Sequence, residues 1–113
     1  MPRLVLKIML GGHGLGPGKI ELLEKIETLG SISAAGREME MSYKRAWLLV
    51  EEMNSAFSEP LVQSNRGGAG GGGAFLTETG QTVLSLYKSI SRKANETAQP
   101  DLAKLRTLFK AVG

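Results

Sequence analysis

Apolar and polar positions follow a helical period in the first third of the chain. Between Gly18 and Leu29 the apolar residues share one stripe of a helix, and the charged residues lie opposite. Pro17 suits a first helical turn, and Gly30 ends the pattern. The spacing therefore predicts a first helix over 18–29. Its apolar stripe consists of Leu22, Leu23, Ile26 and Leu29.

Two more helices are predicted directly after the first, with a tight turn between them. A short second helix is expected over Ile32–Met39, with Ser31 or Ser33 as its N-cap. A third helix is expected over Tyr43–Phe57, with Ser42 as its cap. The apolar stripe of the third helix consists of Ala46, Leu49, Val50, Met53 and Phe57.

Short apolar segments next to glycine predict strands. One strand is expected over Arg3–Leu10, followed by a glycine-rich loop over Gly11–Gly18. Two further strands are expected over Leu61–Asn65 and Ala74–Thr77. The glycine tract between those two could by itself be a disordered linker, but the flanking strands favour a hairpin with a flexible tip.

The last third of the chain is predicted to be helical again. Thr77 is expected to cap a fourth helix, and Pro100 to break it before a final amphipathic helix. We therefore divide the chain into a domain over 1–98, with a hairpin wing at about 61–77, and a C-terminal helix over 99–113. A domain of this size has a limited core, so the apolar stripes of these two helices favour a dimer seam. The stripes consist of Val83, Leu86, Tyr87, Ile90 and Ala94, and of Leu102, Leu105, Leu108, Phe109 and Val112.

The order of these elements predicts the fold class. Two short helices joined by a tight turn and followed by a two-stranded hairpin are typical of a winged helix-turn-helix. We expect a mainly α protein with a small β-hairpin wing and a C-terminal helical dimerisation extension.

Composition removes several function classes. The chain has no cysteine and one histidine, His13, which leaves little material for a metal site or a nucleophile–histidine pair. We therefore predict no catalytic, cofactor or metal site, and no enzymatic activity. The sequence shows no secretory signal pattern and no apolar run of membrane-spanning length, which predicts a cytoplasmic protein without a membrane partner.

Basic and hydroxyl side chains cluster where a winged helix would meet DNA. The net charge is only +3, so the position of the cations is more informative than their number. The first turn of the third helix suits guanine edges and phosphate oxygens. We predict DNA contacts from this turn and from the second helix. The residues are Ser42, Tyr43, Lys44 and Arg45 on the third helix, and Ser33 and Arg37 on the second.

The hairpin tip is the second predicted contact. Arg66 supplies a charge, and Gly67, Gly68 and Gly70 allow the backbone to approach phosphate or the minor groove closely. The tract 68–73 also satisfies a dinucleotide-binding glycine pattern, but it leads into a strand instead of opening a helix. Gly18 and Lys19 resemble the end of a P-loop, but that motif's other positions are not filled.

Two aromatic residues near the first turn have less certain roles. Tyr43 is left open between a phosphate contact and packing. Trp47 is expected in the core or as a shelf, and not stacked on a base. For Leu48, on the outward side of the third helix, the sequence indicates no role.

Several of these segments resemble one known family. The segments are Gly30-Ser31-Ile32-Ser33-Ala34-Ala35, Met41-Ser42-Tyr43-Lys44-Arg45-Ala46-Trp47, Glu52-Met53-Asn54, the glycine tract 67–74 and Leu76-Thr77-Glu78-Thr79-Gly80. Over roughly 18–95 the chain is similar to the N-terminal DNA-binding domain of the molybdate-dependent transcriptional regulator (ModE) family. The resemblance implies a homodimer on a palindromic operator, with a LysR-type helix-turn-helix and the wing as the DNA-contacting elements.

Two features depart from the family pattern. Full-length members continue into a molybdate-binding domain, and we expect no such domain within these 113 residues. Glu40 stands in the helix-turn-helix turn where glycine is frequent, and a positive φ there would cost on the order of 1 kcal/mol. The sequence thus favours a dimeric DNA-binding regulator. The alternative is a winged-helix adaptor that binds an acidic protein partner.

Overall fold

The computed structural model describes residues 2–65 and 73–110. Within these residues the chain is mainly α, with two small antiparallel hairpins. The fold class predicted from the sequence is confirmed. The elements in chain order are β1 (Ile8–Leu10), β2 (His13–Leu15), α1 (Pro17–Leu29), α2 (Ile32–Glu38), α3 (Tyr43–Ala56), β3 (Val62–Asn65), β4 (Gly73–Leu76) and α4 (Glu78–Leu108).

The core lies where α1, α2 and α3 meet the base of the second hairpin and the first turns of α4. Helix α1 supplies its centre, because Leu22, Leu23 and Ile26 are fully buried. Leu29, the last residue of the predicted stripe, is 42% exposed. The remaining core side chains include Ala35, Ala46, Val50, Met53, Leu61, Val62, Ala74, Leu76, Leu84 and Tyr87.

A tight turn with one strained residue joins α2 to α3. Ser31 caps α2 by accepting a hydrogen bond from the Ala34 N–H at 2.9 Å, which decides between the two predicted caps. Glu40 adopts the left-handed conformation at φ 58°. The Glu40 N–H donates to the Arg37 carbonyl, and the Met41 N–H donates to the Gly36 carbonyl. This pattern is a Schellman C-cap, so the turn does require the positive φ whose cost the sequence analysis considered for Glu40.

The N-terminal segment corrects one prediction. The expected single strand over Arg3–Leu10 and loop over Gly11–Gly18 are wrong, because β1 and β2 form a hairpin. Gly11 turns the chain at φ 58°, and Leu10 pairs with His13. The Gly11–Gly12 pair directly after an apolar segment is the sequence signal for a two-residue hairpin loop.

The predicted wing is present as the hairpin β3–β4. Val62 pairs with Leu76, and Asn65 pairs with Gly73. A further backbone hydrogen bond of 2.8 Å runs from the Ala74 N–H to the carbonyl of Gly30, which lies between α1 and α2. The wing is therefore attached to the helical core along β4.

Helix α4 corrects the second prediction. Thr77 caps it as expected, with its hydroxyl oxygen accepting from the Gly80 N–H at 3.0 Å. The predicted break at Pro100 is wrong, because the helix continues through it to Leu108. Pro100 is exposed, so water can satisfy the Glu96 carbonyl that loses its intrahelical partner.

Candidate nucleic-acid interface

The first turn of α3 is open to solvent. Ser42, Tyr43, Lys44 and Arg45 are all exposed, and Tyr43 is 57% exposed. The Ser42 oxygen accepts a hydrogen bond from the Arg45 N–H at 3.1 Å, which leaves the hydroxyl proton free to donate. The described part of the chain does not cover this end of the helix, so a ligand can reach it.

Helical spacing separates the side chains of α3 into an outer ridge and two flanks. Lys44, Leu48 and Glu51 lie at positions i, i+4 and i+7 and form the outer ridge, opposite the buried Ala46, Val50 and Met53. Tyr43 and Trp47 lie on the flank toward the wing, where both line a cleft. Arg45 lies on the other flank, toward the N-terminal hairpin.

The wing-side cleft is formed by four elements. It has a volume of about 250 Å³ and lies between α3, the start of α2 and the ends of β3 and β4. Its lining is mainly aromatic, amide and hydroxyl in character. The lining residues are Ser31, Ile32, Ser33, Tyr43, Trp47, Ser64, Asn65, Gly73 and Ala74.

A second cleft, on the side of the N-terminal hairpin, is lined by cationic side chains; we call it the hairpin-side cleft. It has a volume of about 420 Å³ and is lined by Lys7, Lys19 and Arg45, together with the first turn of α1. That turn holds no acidic residue, so the positive end of the α1 dipole is not neutralised there. Lys19 donates to the Gly14 carbonyl at 3.0 Å and pairs with Glu52 at 3.3 Å.

Three cations in or near the first turn of α3 differ from several others in the molecule in their ion pairing. Among residues 2–65 and 73–110, no carboxylate pairs with Lys44, Arg45 or Arg37. Elsewhere, Lys88 pairs with Glu24 at 2.7 Å and Lys25 pairs with Glu38 at 3.5 Å. The positive charge at the leading end of α3 therefore remains available to an anionic partner.

One amide side chain holds the wing against α3. The Asn54 side-chain oxygen accepts from the N–H groups of Leu61 and Val62 at 2.8 and 3.1 Å. The amide nitrogen of Asn54 donates to the Val62 carbonyl at 3.1 Å. Because these bonds join α3 to the start of β3, they set the position of the wing relative to the outer ridge.

The other predicted site residues are placed as follows. Ser33 is exposed and lines the wing-side cleft with Tyr43, so the structure brings these two together. Arg37 is exposed one helical turn after Ser33 on the same face of α2, and it lines neither cleft. The predicted wing-tip residues Arg66, Gly67, Gly68 and Gly70 lie outside the described residues.

Sequence reasoning did not identify four polar or aromatic residues of the wing-side cleft as site residues. Ser64 and Asn65 precede the predicted tip, and their polar character at the end of a strand was the available signal. Ser31 was interpreted only as a cap. Trp47 is 42% exposed and forms a wall of the cleft, so it is a shelf and not a core residue.

Comparison with known proteins shows which proteins the chain is similar to. The chain is 40% identical over 100 residues to the DNA-binding transcriptional dual regulator ModE of Escherichia coli K12. It is 39% identical over 99 residues to the transcriptional regulator ModE of Yersinia pestis. The chain is thus similar to the N-terminal region of ModE proteins, as expected of a ModE-family DNA-binding domain. The resemblance seen in the sequence is confirmed.

The match covers most of this chain and a smaller part of each relative. It includes 85% of the chain and 38% of each of these two ModE proteins. The molybdenum transport protein ModE of Azotobacter vinelandii is 33% identical over 112 residues, or 89% of the chain and 42% of that protein. The chain thus spans about two fifths of these relatives. No family model matches the chain.

The described residues include neither a membrane-spanning helix nor a cluster of metal-ligating side chains. No helix there combines the length and apolar character needed to cross a bilayer. No group of three or more His, Cys, Asp or Glu side chains there is placed to hold a metal ion.

Proposed function

We propose that this chain is a ModE-family DNA-binding domain of a cytoplasmic transcriptional regulator, and that its partner is double-stranded DNA. The observation that carries the proposal is the exposed first turn of α3, where Lys44 and Arg45 have no carboxylate partner among the described residues. A recognition helix uses this end in the major groove. The names of the ModE relatives support regulation of transcription.

The two cations of this turn have different tasks in the proposal. Lys44 lies on the outer ridge of α3 and contacts base edges, with guanine O6 and N7 as its preferred acceptors. Arg45 faces the cleft with Lys7 and Lys19 and contacts the phosphate backbone. Lys44 thus contributes to sequence preference, whereas Arg45 contributes affinity for any sequence.

The wing-side cleft accommodates the backbone on the opposite flank. Ser33, Ser64 and Asn65 are exposed donors around this cleft, and hydroxyl and amide groups are frequent phosphate contacts. Tyr43 lies at the same cleft and donates its phenolic proton to a phosphate oxygen. The glycine tract extends the contact along the neighbouring groove, with Arg66 as its charge.

The acting unit in the proposal is a homodimer. Helix α4 carries exposed apolar residues that no described part of the chain covers, and Leu108 is 80% exposed. Two copies joined along α4 would bury this surface and set two recognition helices about 34 Å apart on a palindromic site. The exposed apolar residues of α4 are Leu86, Ile90, Leu105 and Leu108.

Selection of bound duplexes from a random pool tests the proposal. We expect the chain to enrich a palindromic sequence, and the logarithm of its binding constant to fall linearly with the logarithm of salt concentration. Lys44→Ala should weaken binding to the selected site by about 1–3 kcal/mol and relax the preference at one base pair. Arg45→Ala should weaken binding to all sequences similarly and reduce the salt slope by about 1.

Lys88→Ala is the matched control, because Lys88 is an exposed lysine of α4 outside both clefts, on the side of the helix opposite Leu86 and Ile90. It should leave affinity and salt slope unchanged. Failure to enrich any sequence, together with binding that does not respond to salt, would contradict the proposal. That result would favour the adaptor hypothesis.

A further inference from the structure

Leu48 is a large aliphatic side chain at the centre of the outer ridge of α3. It is 42% exposed, and it follows Lys44 by one helical turn. Its neighbours on the exposed surface of the helix include Lys44, Glu51 and Glu52, all of them charged. A single exposed leucine is ordinary on a protein surface, but this one lies on the ridge that the proposed function places in the major groove.

The spacing on α3 relates Leu48 to the base read by Lys44. Four residues of α-helix advance by about 6 Å, whereas successive base pairs are about 3.4 Å apart. Leu48 therefore meets the groove floor about two base pairs from the contact of Lys44. Both residues reach the same groove, since they project from one face of the helix.

The chemistry of the groove floor selects what a leucine can contact there. Base edges in the major groove carry hydrogen-bond donors and acceptors, and the C5-methyl group of thymine is their apolar feature. A leucine over any other edge would bury polar atoms without a partner, which costs free energy. A leucine over thymine buries a methyl group instead and gains from it.

We infer that Leu48 is a specificity-determining residue that recognises the C5-methyl group of one thymine in each half-site. The inference rests on the proposed function, because it requires α3 to lie in the major groove. It assigns to Leu48 a direct contact with the base, about two base pairs from the one that Lys44 contacts.

Deoxyuridine substitution tests this inference, since deoxyuridine differs from thymidine only by the missing methyl group. In the site selected from the random pool, each thymine is replaced in turn and binding is titrated at fixed salt. We expect one thymine per half-site at which the replacement weakens binding by about three- to fivefold, the value for one buried methyl group. In Leu48→Ala the same replacement should change binding by less than about 1.5-fold, because the contact is already lost.

Lys44→Ala is the control for this cycle. It should bind more weakly overall and still respond to deoxyuridine at the same thymine as the unmodified chain does. Circular dichroism and sedimentation of Leu48→Ala should match those of the unmodified chain, since the residue is exposed and alanine favours helix.

Three results would overturn the inference. The first is a selected site in which no thymine responds to deoxyuridine. The second is an undiminished response in Leu48→Ala, which would assign the methyl contact to another residue. The third is a changed oligomeric state of Leu48→Ala, which would place Leu48 in a contact between copies. The first two leave the proposed function standing, because that proposal fails when no sequence is enriched and binding does not respond to salt.

Discussion

At the residue scale, two residues behind the outer ridge of α3 set the geometry of the two clefts. Glu40 holds the left-handed position that ends α2, and the resulting turn directs α3 outward. Gly36 permits this turn to be tight, since a Cβ there would lie 3.0 Å from that of Ala46. Asn54 positions the wing relative to α3 through its three hydrogen bonds. Neither Glu40 nor Asn54 lines the clefts themselves.

Glu40→Gly should stabilise the protein. Glycine adopts a positive φ without the Cβ clash, so the free energy of unfolding should rise by about 0.5–1 kcal/mol. Thermal unfolding should show a midpoint higher by a few degrees. The control is Lys93→Gly, which places glycine at an exposed interior position of α4 and should cost about 0.5–1 kcal/mol. A lower midpoint for Glu40→Gly would contradict a strained turn.

Asn54→Ala should destabilise the attachment of the wing. It removes three hydrogen bonds and leaves the N–H groups of Leu61 and Val62 without their acceptor, at a cost of about 2–3 kcal/mol. Denaturant unfolding measures this loss. Asn54→Asp keeps the acceptor oxygen and should lose less, whereas the exposed neighbour Ser55→Ala should stay within about 0.5 kcal/mol. Equal losses for the alanine and aspartate variants would refute the assigned role.

At the element scale, α4 is the feature that differs most from its sequence pattern. Its 31 residues continue through Pro100, and side chains of the part before Pro100 bond the N-terminal segment. The Asn95 side chain bonds both the N–H and the carbonyl of Leu4, and the Tyr87 hydroxyl donates to the Leu6 carbonyl. These hydrogen bonds hold the N-terminal segment against α4.

Pro100→Ala should strengthen this helix. Alanine restores the N–H that can donate to the Glu96 carbonyl, and we expect a gain of about 1–2 kcal/mol after the lost rigidity of proline is subtracted. Amide hydrogen exchange at residues 101–104 should slow, and the unfolding midpoint should rise. Gln99→Ala changes an exposed side chain without altering the backbone and should have little effect. Unchanged exchange in the proline variant would contradict a continuous helix.

At the scale of the whole molecule, the two clefts lie on either side of one ridge, and α4 extends the molecule. The extents are 57 × 34 × 23 Å, because a helix of 31 residues is about 46 Å long. The apolar residues along α4 therefore form a surface that a second copy could cover without touching α3. In the proposal, one part of the chain binds DNA and another sets the spacing between two copies.

Leu105→Glu should separate the proposed dimer. A carboxylate in an apolar seam would be buried without a partner, so sedimentation should show a monomer at micromolar concentration. Binding to a palindromic site should weaken more than binding to a half-site. Ala103→Glu places the same charge on a different face of α4 and should remain dimeric. A monomeric parent chain, or a dimeric Leu105→Glu, would exclude this seam.

The sequence by itself determined the first three helices, the start of the fourth, the strands of the wing and the resemblance to the ModE family. Local rules suffice for these features: the apolar stripes of α1 and α3, the caps at Ser42 and Thr77, and the glycine at the end of α1 each act within a few residues. The positive φ at Glu40 was foreseeable because a turn of this type requires it.

Only the tertiary structure decided the continuity of α4, the presence of the N-terminal hairpin and which residues line the two clefts. Pro100 stays in a helix because its surroundings are exposed, and β2 forms although its composition is that of a loop. The clefts join residues from separate elements, four of them at the wing-side cleft, and their association depends on packing and on bonds such as those of Asn54. Periodicity along a chain shows which face of a helix or strand is apolar. Which other element packs against that face depends on the tertiary structure.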